Sequence, residues 1–177
     1  MSTQSWEECV FISLAASTAV TGTGETIVVP DITLPANYMY PGRVLKARIA
    51  GKISNIITTP GTVTLRARWG GVAGTVLAAS DAIAQNIIAQ TDDSWEVEYY
   101  IVCQTAGAAG SFLTSGKAVL GNIIAAQAGQ TVLIPSASNA AVGSLDTTAA
   151  TAISFTLKFS LGGNSATALS YILESLS

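Results

Sequence analysis

Polar and apolar residues alternate along the whole length of Thr62-Val63-Thr64-Leu65-Arg66-Ala67-Arg68-Trp69, the most regular pattern in the sequence. Successive side chains of a β-strand point to opposite faces of the sheet. The alternation is therefore typical of a strand with one buried and one solvated face. The glycine-rich residues 70–74 that follow it predict a turn.

The same period-two pattern recurs along the chain between turn signals rich in Gly, Pro, Asn, Asp and Ser. Few residues show a helical pattern. They amount to one short turn within residues 78–90 and an apolar run over residues 123–127 that fits a strand or a loop equally well. Strands are predicted over residues 26–34, 44–53, 62–69, 95–103, 112–120, 131–134 and 152–161, with weaker candidates over 9–14 and 169–173.

About eight antiparallel strands with almost no helix are typical of a sandwich or a barrel. The chain has 177 residues, which suits one domain, and no change in composition marks a linker. Cys9 and Cys103 are too far apart for the immunoglobulin pattern. We predict an all-β, single-domain, jelly-roll-like β-sandwich over residues 1–177, with residues 1–8 and 164–177 as terminal arms.

Alternation also predicts which side chains form the core. Trp69 and Trp95 fall on the apolar faces of their strands. In residues 152–161 the pattern places Phe155 and Leu161 inside and Ser154 outside.

Composition excludes several kinds of chemistry. The chain contains no histidine, so Ser-His-Asp or Cys-His catalysis, His-ligated zinc and an imidazole pH switch are absent. Only 11% of the residues are charged, against about 25% in typical soluble domains, which indicates that part of the surface meets other protein. Cys9 and Cys103 are too few for a disulfide framework, and we interpret them as buried free thiols of a protein made in a reducing cytoplasm.

The charge balance bears on the expected partners. The formal net charge is −3, whereas nucleic-acid-binding proteins usually carry a basic surplus. No apolar run approaches the roughly 18 residues that span a bilayer. We expect neither nucleic acid nor a membrane as a partner.

Most of the basic residues lie in one part of the chain. They form a candidate interaction patch that consists of Arg43, Lys46, Arg48, Lys52, Arg66 and Arg68. An acidic run follows it, with Asp92, Asp93, Glu96 and Glu98. If the strands are neighbours, the last two arginines pair with the last two glutamates and form a self-paired, solvated sheet face. A docking patch for an acidic neighbouring subunit and a nucleic-acid contact are the alternatives.

No catalytic or metal-binding motif is specific in this sequence. Glu96 and Glu98 share one strand face, but their spacing is not diagnostic of glycoside hydrolysis or of calcium binding. Residues 70–74 lack the Lys-Ser/Thr pair of a phosphate-binding loop, and no base is evident to activate a serine or threonine. We predict a protein that is not an enzyme, with no catalytic residue, metal site or cofactor.

The alternating stretch over residues 62–71, with Gly74-Thr75-Val76-Leu77-Ala78 after it, resembles small β-sandwich structural proteins of tailed bacteriophages. The run Trp95-Glu96-Val97-Glu98-Tyr99-Tyr100-Ile101-Val102 has the same character. The resemblance covers about a third to a half of the chain and carries over no functional residue. It implies a jelly roll on or within a capsid, often a trimer, that acts as cement, as decoration or as the base of fibres and spikes.

We therefore expect a virion structural protein, made in the host cytoplasm, that stabilises a capsid shell as a decoration or cement protein. Its expected partners are further copies of itself, with a trimer favoured, and the major capsid protein or other virion subunits. A small jelly-roll shell subunit is a variant of this hypothesis. The predicted intersubunit contacts are the apolar residues near the chain end, Leu169, Tyr171, Leu173 and Leu176.

A second hypothesis comes from a different class. Jelly rolls commonly host lectins, so a carbohydrate-binding or receptor-binding module is the alternative. Tyr38 and Tyr40 are its best candidates for exposed aromatic side chains.

Overall fold

The structure is a computed structural model that describes residues 7–56, 58–121, 131–136 and 138–176. This part of the chain forms fourteen β-strands and no helix. The strands are β1 (Glu7–Ser13), β2 (Val20–Thr21), β3 (Thr26–Ile27), β4 (Ile32–Leu34), β5 (Val44–Asn55), β6 (Thr62–Trp69), β7 (Thr75–Ala79), β8 (Ile83–Ala84), β9 (Gln90–Thr105), β10 (Gly110–Leu120), β11 (Thr131–Ile134), β12 (Val142–Leu145), β13 (Thr151–Phe159) and β14 (Ser165–Leu176).

The described strands pair antiparallel and build two sheets. Sheet A has the order β1-β14-β5-β9-β10-β11, with β2 beside β14 and β12 beside β10. Sheet B has the order β3-β13-β6-β7, with β4 beside β13 and β8 beside β6. β5 pairs with β14 in sheet A and β6 pairs with β13 in sheet B, so the segments β5–β6 and β13–β14 form one antiparallel ribbon that passes from one sheet to the other. This is the winding of a jelly roll, and the prediction of an all-β, jelly-roll-like sandwich is confirmed.

The inner faces of the two sheets enclose one hydrophobic core. Phe155 of sheet B contacts Tyr99 of sheet A, with ring centroids 5.2 Å apart. Trp69 of sheet B packs edge-on against Phe112 of sheet A at 4.8 Å. Trp95 is also buried, so the predicted inward directions of both tryptophans are confirmed.

The end of the described chain is a strand rather than an arm. β14 lies inside sheet A, with β1 on one side and β5 on the other. The prediction of an arm over residues 164–177 is therefore wrong for residues 165–176, because these residues complete the interior of a sheet. Of residues 1–8, only Glu7 and Glu8 are described, and they begin the edge strand β1.

Other expectations fail at strand ends. The predicted strand over residues 26–34 is divided into β3 and β4, because Pro30 has no N–H to donate to a neighbouring strand. Leu161 is exposed rather than buried, because β13 ends at Phe159 and a turn follows. Ser154 points away from the core as predicted but is fully buried.

Two further segments differ from expectation. Within residues 78–90 the chain continues β7 and then forms the short strand β8, so the helical turn suggested there is absent. The apolar run over residues 123–127 lies outside the described residues. Cys103 is buried as predicted, whereas Cys9 is exposed because it lies on the edge strand β1.

Candidate interaction surfaces

The outer face of sheet A carries a band of ion pairs. They are Lys46–Glu174 (3.1 Å), Arg48–Glu96 (2.8 Å), Lys52–Asp92 (2.9 Å) and Lys117–Glu98 (3.8 Å). The first three pairs form because basic β5 lies between β9 and β14, which supply the acidic partners, and the fourth joins β10 to the neighbouring β9. The hydrogen bond and charge of Glu174 raise the pKa of Lys46, and those of Glu96 raise the pKa of Arg48. These cations are already neutralised by their own chain.

A second ion cluster lies on the outer face of sheet B, around Glu25 in the loop before β3. Arg68 donates to both carboxylate oxygens of Glu25, at 2.6 and 2.8 Å. Arg66 and the hydroxyl of Thr156 each donate to Glu25 at 2.6 Å. Burial alone would raise the pKa of Glu25, but the hydrogen bonds from Arg68 and Thr156 and the two positive charges lower it to about 2.

The Glu25 cluster predicts how stability depends on pH. Because the pKa of Glu25 is lower in the folded state, the ionised carboxylate stabilises the fold. This contribution to the free energy of unfolding is present above pH 4.5 and is lost as the pH falls towards 2. Glu25→Gln is expected to lower the free energy of unfolding at pH 7 by about 2 kcal/mol, after allowance for solvent screening. Urea unfolding at pH 7, 4 and 3 measures both effects, and the variant's loss relative to the wild type shrinks as the pH falls.

Asp92→Asn is the matched control, because its pair with Lys52 is exposed and such pairs contribute about 0–1 kcal/mol. Equal stability of Glu25→Gln and the wild type at pH 7 would contradict the assignment.

The predicted basic patch is not one surface. β5 carries Lys46, Arg48 and Lys52 on sheet A, whereas β6 carries Arg66 and Arg68 on sheet B. The predicted cross-strand pairing of the β6 arginines with the β9 glutamates is wrong, because β6 lies in sheet B and β9 in sheet A. The chain crosses from one sheet to the other between β5 and β6. The interpretation of self-paired sheet faces describes the structure, with different partners from those expected.

Arg43 has a separate environment. Its guanidinium carbon lies 4.3 Å from the ring centroid of Tyr38 and 4.4 Å from that of Tyr40. Its Nη1 also donates to the backbone oxygen of Tyr38 at 2.7 Å. Tyr38 is half-buried and its hydroxyl donates to Glu8 at 3.0 Å, whereas Tyr40 remains 42% exposed. Only Tyr40 of the two predicted aromatic residues is exposed, and both rings stack on a cation of their own chain.

A groove of about 600 Å³ opens on the outer face of sheet A. Small residues of the sheet, among them Ala50, Gly51 and Ser170, line it together with the larger side chains of Val119 and Leu169. A Cβ atom added at Gly51 would overlap with the backbone oxygen of Thr167, so this position requires glycine. We call this concavity the sheet A groove.

The predicted intersubunit residues divide between the core and the surface. Tyr171 and Leu173 are buried beneath sheet A, so the prediction that they contact another subunit is wrong. Leu169 is 44% exposed and lines the sheet A groove. Leu176 is half-buried at the end of β14. Leu169 thus remains a candidate contact.

A second apolar feature lies at residues 85–89, between β8 and β9, which we call the tip loop. Ile87 and Ile88 are adjacent in the sequence, and their exposed fractions are 64% and 60%. Sequence reasoning missed both residues because the apolar run that contains them has no strand or helix period. Glu25 was missed as well, because it is an isolated carboxylate between the turn at residues 22–24 and β3.

Within the described residues, no group of three or more Cys, Asp or Glu side chains is placed to hold a metal ion. No helical segment in the same part of the chain has the length and apolarity that a bilayer crossing requires.

Comparison with known proteins assigns no family to the chain. No protein-family model matches the sequence, and no curated protein matches it. Peanut lectin in complex with a nine-residue peptide is similar over 100% of this chain and 99% of its own, at 10% identity and a TM-score of 0.39. A structure of infectious bursal disease virus, Gx strain, is similar over 98% of this chain and 42% of its own, at 9% identity and a TM-score of 0.18. Likenesses this weak say nothing of what the present chain binds.

Proposed function

We propose that this protein is a non-enzymatic structural protein of a virion, and specifically a decoration or cement protein that stabilises a capsid shell through subunit contacts. In this role it is made in the host cytoplasm, forms a homo-oligomer, with a trimer favoured, and binds the major capsid protein or another virion subunit. The sequence resemblance to structural proteins of tailed bacteriophages is the source of the virion assignment.

One observation supports a contact role most directly. Six of the eight lysines and arginines, all within the described residues, form ion pairs inside the chain, while large apolar side chains are exposed on sheet A and in loops. Protein interfaces have cores from which charged residues are depleted. A surface with neutralised charges and exposed apolar side chains suits contact with protein better than contact with phosphate or solvent.

Co-sedimentation with empty capsid shells tests the proposal. The purified chain is titrated against empty capsid shells of the virus that encodes it, and the bound fraction is measured after ultracentrifugation. We expect saturable binding and a higher temperature of shell disassembly. A protein that stays monomeric and in the supernatant at every shell concentration would refute the decoration role. If the chain alone assembles into shells, the variant hypothesis of a shell subunit replaces it.

The carbohydrate-binding or receptor-binding alternative depends on one observation, which is the 42% exposure of Tyr40. Sugars commonly stack on exposed aromatic rings, but here one face of this ring is near Arg43. Saturable binding on a glycan array that disappears in Tyr40→Ala would favour this alternative over the structural role.

A further inference from the structure

The tip loop is held in one conformation by buried amide groups. Asn55 Nδ2 donates to the backbone oxygens of Asn86 at 2.7 Å and Ile88 at 3.2 Å. Asn86 Oδ1 accepts from the backbone N–H of Ile88 at 3.0 Å, and Thr58 donates its N–H to the oxygen of Ile87 at 2.8 Å. Asn55 and Asn86 are themselves buried. The loop therefore presents its two isoleucines without further ordering, which reduces the entropic cost of binding.

Two consecutive isoleucines on such a loop form an apolar projection. Each contributes favourable free energy when its surface is removed from water. In this chain neither side chain packs on the core, because both remain more than half exposed. The projection is thus available to another molecule.

The sheet A groove is a concave surface that can receive an apolar projection of this kind. Its volume of about 600 Å³ lies inside the range of about 300–1,000 Å³ that is common for sites burying a ligand. The exposed side chains of Val119 and Leu169 border it, and its small lining residues leave room for an inserted side chain. Its glutamates, Glu96 and Glu98, already pair with Arg48 and Lys117, so an apolar insert does not have to neutralise them.

We propose that the tip loop of one copy inserts Ile87 and Ile88 into the sheet A groove of a second copy. The projection and the groove belong to the same chain, so a copy supplies a preformed partner for each. The net charge of −3 imposes little repulsion between copies. Different surfaces meet in this contact, and repeated heterologous contacts close into a ring or continue as a filament. This contact rests on the proposed function, in which copies of the chain associate, and it specifies the surfaces through which they join.

The test uses variants of the full chain at exposed positions. The loop variant carries Ile87→Asp and Ile88→Asp, and the groove variant carries Val119→Lys and Leu169→Lys. The matched control is Val72→Asp, which introduces a charge at an exposed apolar residue in the β6–β7 turn. Thermal unfolding confirms that each variant folds, and Ile88→Ser or Leu169→Ser replaces any double variant that does not.

Native mass spectrometry and light scattering then report association. We expect the wild type and the control to form oligomers and each double variant alone to be monomeric, with association weakened at least about tenfold. An equimolar mixture of the two variants is expected to form a heterodimer of one chain each, because one retains the groove and the other the loop. A symmetric contact between identical surfaces would not produce this result.

Three results would overturn the inference: a monomeric wild type, oligomers of either variant, or a mixture that stays monomeric. Co-sedimentation with shells is measured for the same samples. Variants that are monomeric in mixture but still bind shells would refute the contact between copies and leave the proposed function intact. A loop variant that loses shell binding and keeps its oligomers would assign the tip loop to the shell instead.

Discussion

Leu173→Ala is expected to lower the free energy of unfolding by about 2–5 kcal/mol, the usual cost of removing a buried leucine side chain. Leu173 has no exposed surface and lies on β14, between β1 and β5. Truncation would leave a cavity beneath β14. Urea unfolding followed by tryptophan fluorescence measures the loss at low protein concentration, where association contributes little to stability.

Leu169→Ala is the matched comparison, because it makes the same change four residues earlier on the same strand. Leu169 is exposed, so we expect the free energy of unfolding of this variant to differ from that of the wild type by no more than about 0.5 kcal/mol. If both variants matched the wild type in stability and lost oligomers instead, the chain end would be an intersubunit arm, contrary to the structure.

Phe155→Ala is expected to lower the free energy of unfolding by about 3–5 kcal/mol, because it removes a ring that packs between the two sheets. The Phe155 ring of sheet B lies 5.2 Å from Tyr99 and 5.7 Å from Tyr171, both of sheet A. Its loss removes apolar burial and two aromatic contacts at once. The urea midpoint of the purified variant measures the effect.

Val72→Ala provides the reference for this substitution, since Val72 is exposed in the β6–β7 turn. We expect it to stay within about 0.5 kcal/mol of the wild type. A Phe155→Ala variant as stable as this reference would mean that the two sheets do not pack through this ring.

Much of the fold could be predicted because regular alternation reports directly on a half-buried strand. β6 occupies the predicted residues 62–69, and its buried positions alternate without a break. The long strands β5, β9 and β10 are recovered for the same reason. In these strands the local pattern and the tertiary environment agree.

β14 was underestimated because its alternation changes phase. The pairing of β14 with β5 has a bulge between Ala168 and Ser170, and Leu169 lies at this irregularity. Ala166 and Ala168 point inward before the bulge, and Tyr171 and Leu173 point inward after it. A bulge adds one residue to a strand, so a strict period of two finds only fragments.

The charged clusters could not be predicted from spacing, because the chain crosses between sheets after β5. Lys52 and Arg66 are close in the sequence, yet they lie on opposite layers of the sandwich. Glu25 reaches Arg66 and Arg68 from a loop some 40 residues away, a contact that only the tertiary structure creates. The same holds for the tip loop, whose backbone is held by hydrogen bonds from the distant Asn55.

Together these features describe a body stabilised internally by its core and by ion pairs. Its exposed apolar side chains include those of the tip loop and of the sheet A groove. Such a molecule is suited to repeated contact with other protein, which is the basis of the proposed structural role.

Electron cryomicroscopy of the native particle tests this role most directly. We expect the map to contain copies of the two-sheet sandwich bound to the capsid shell, with neighbouring copies or shell subunits on the exposed apolar residues of each copy. A complete particle map in which no density fits this chain would contradict it.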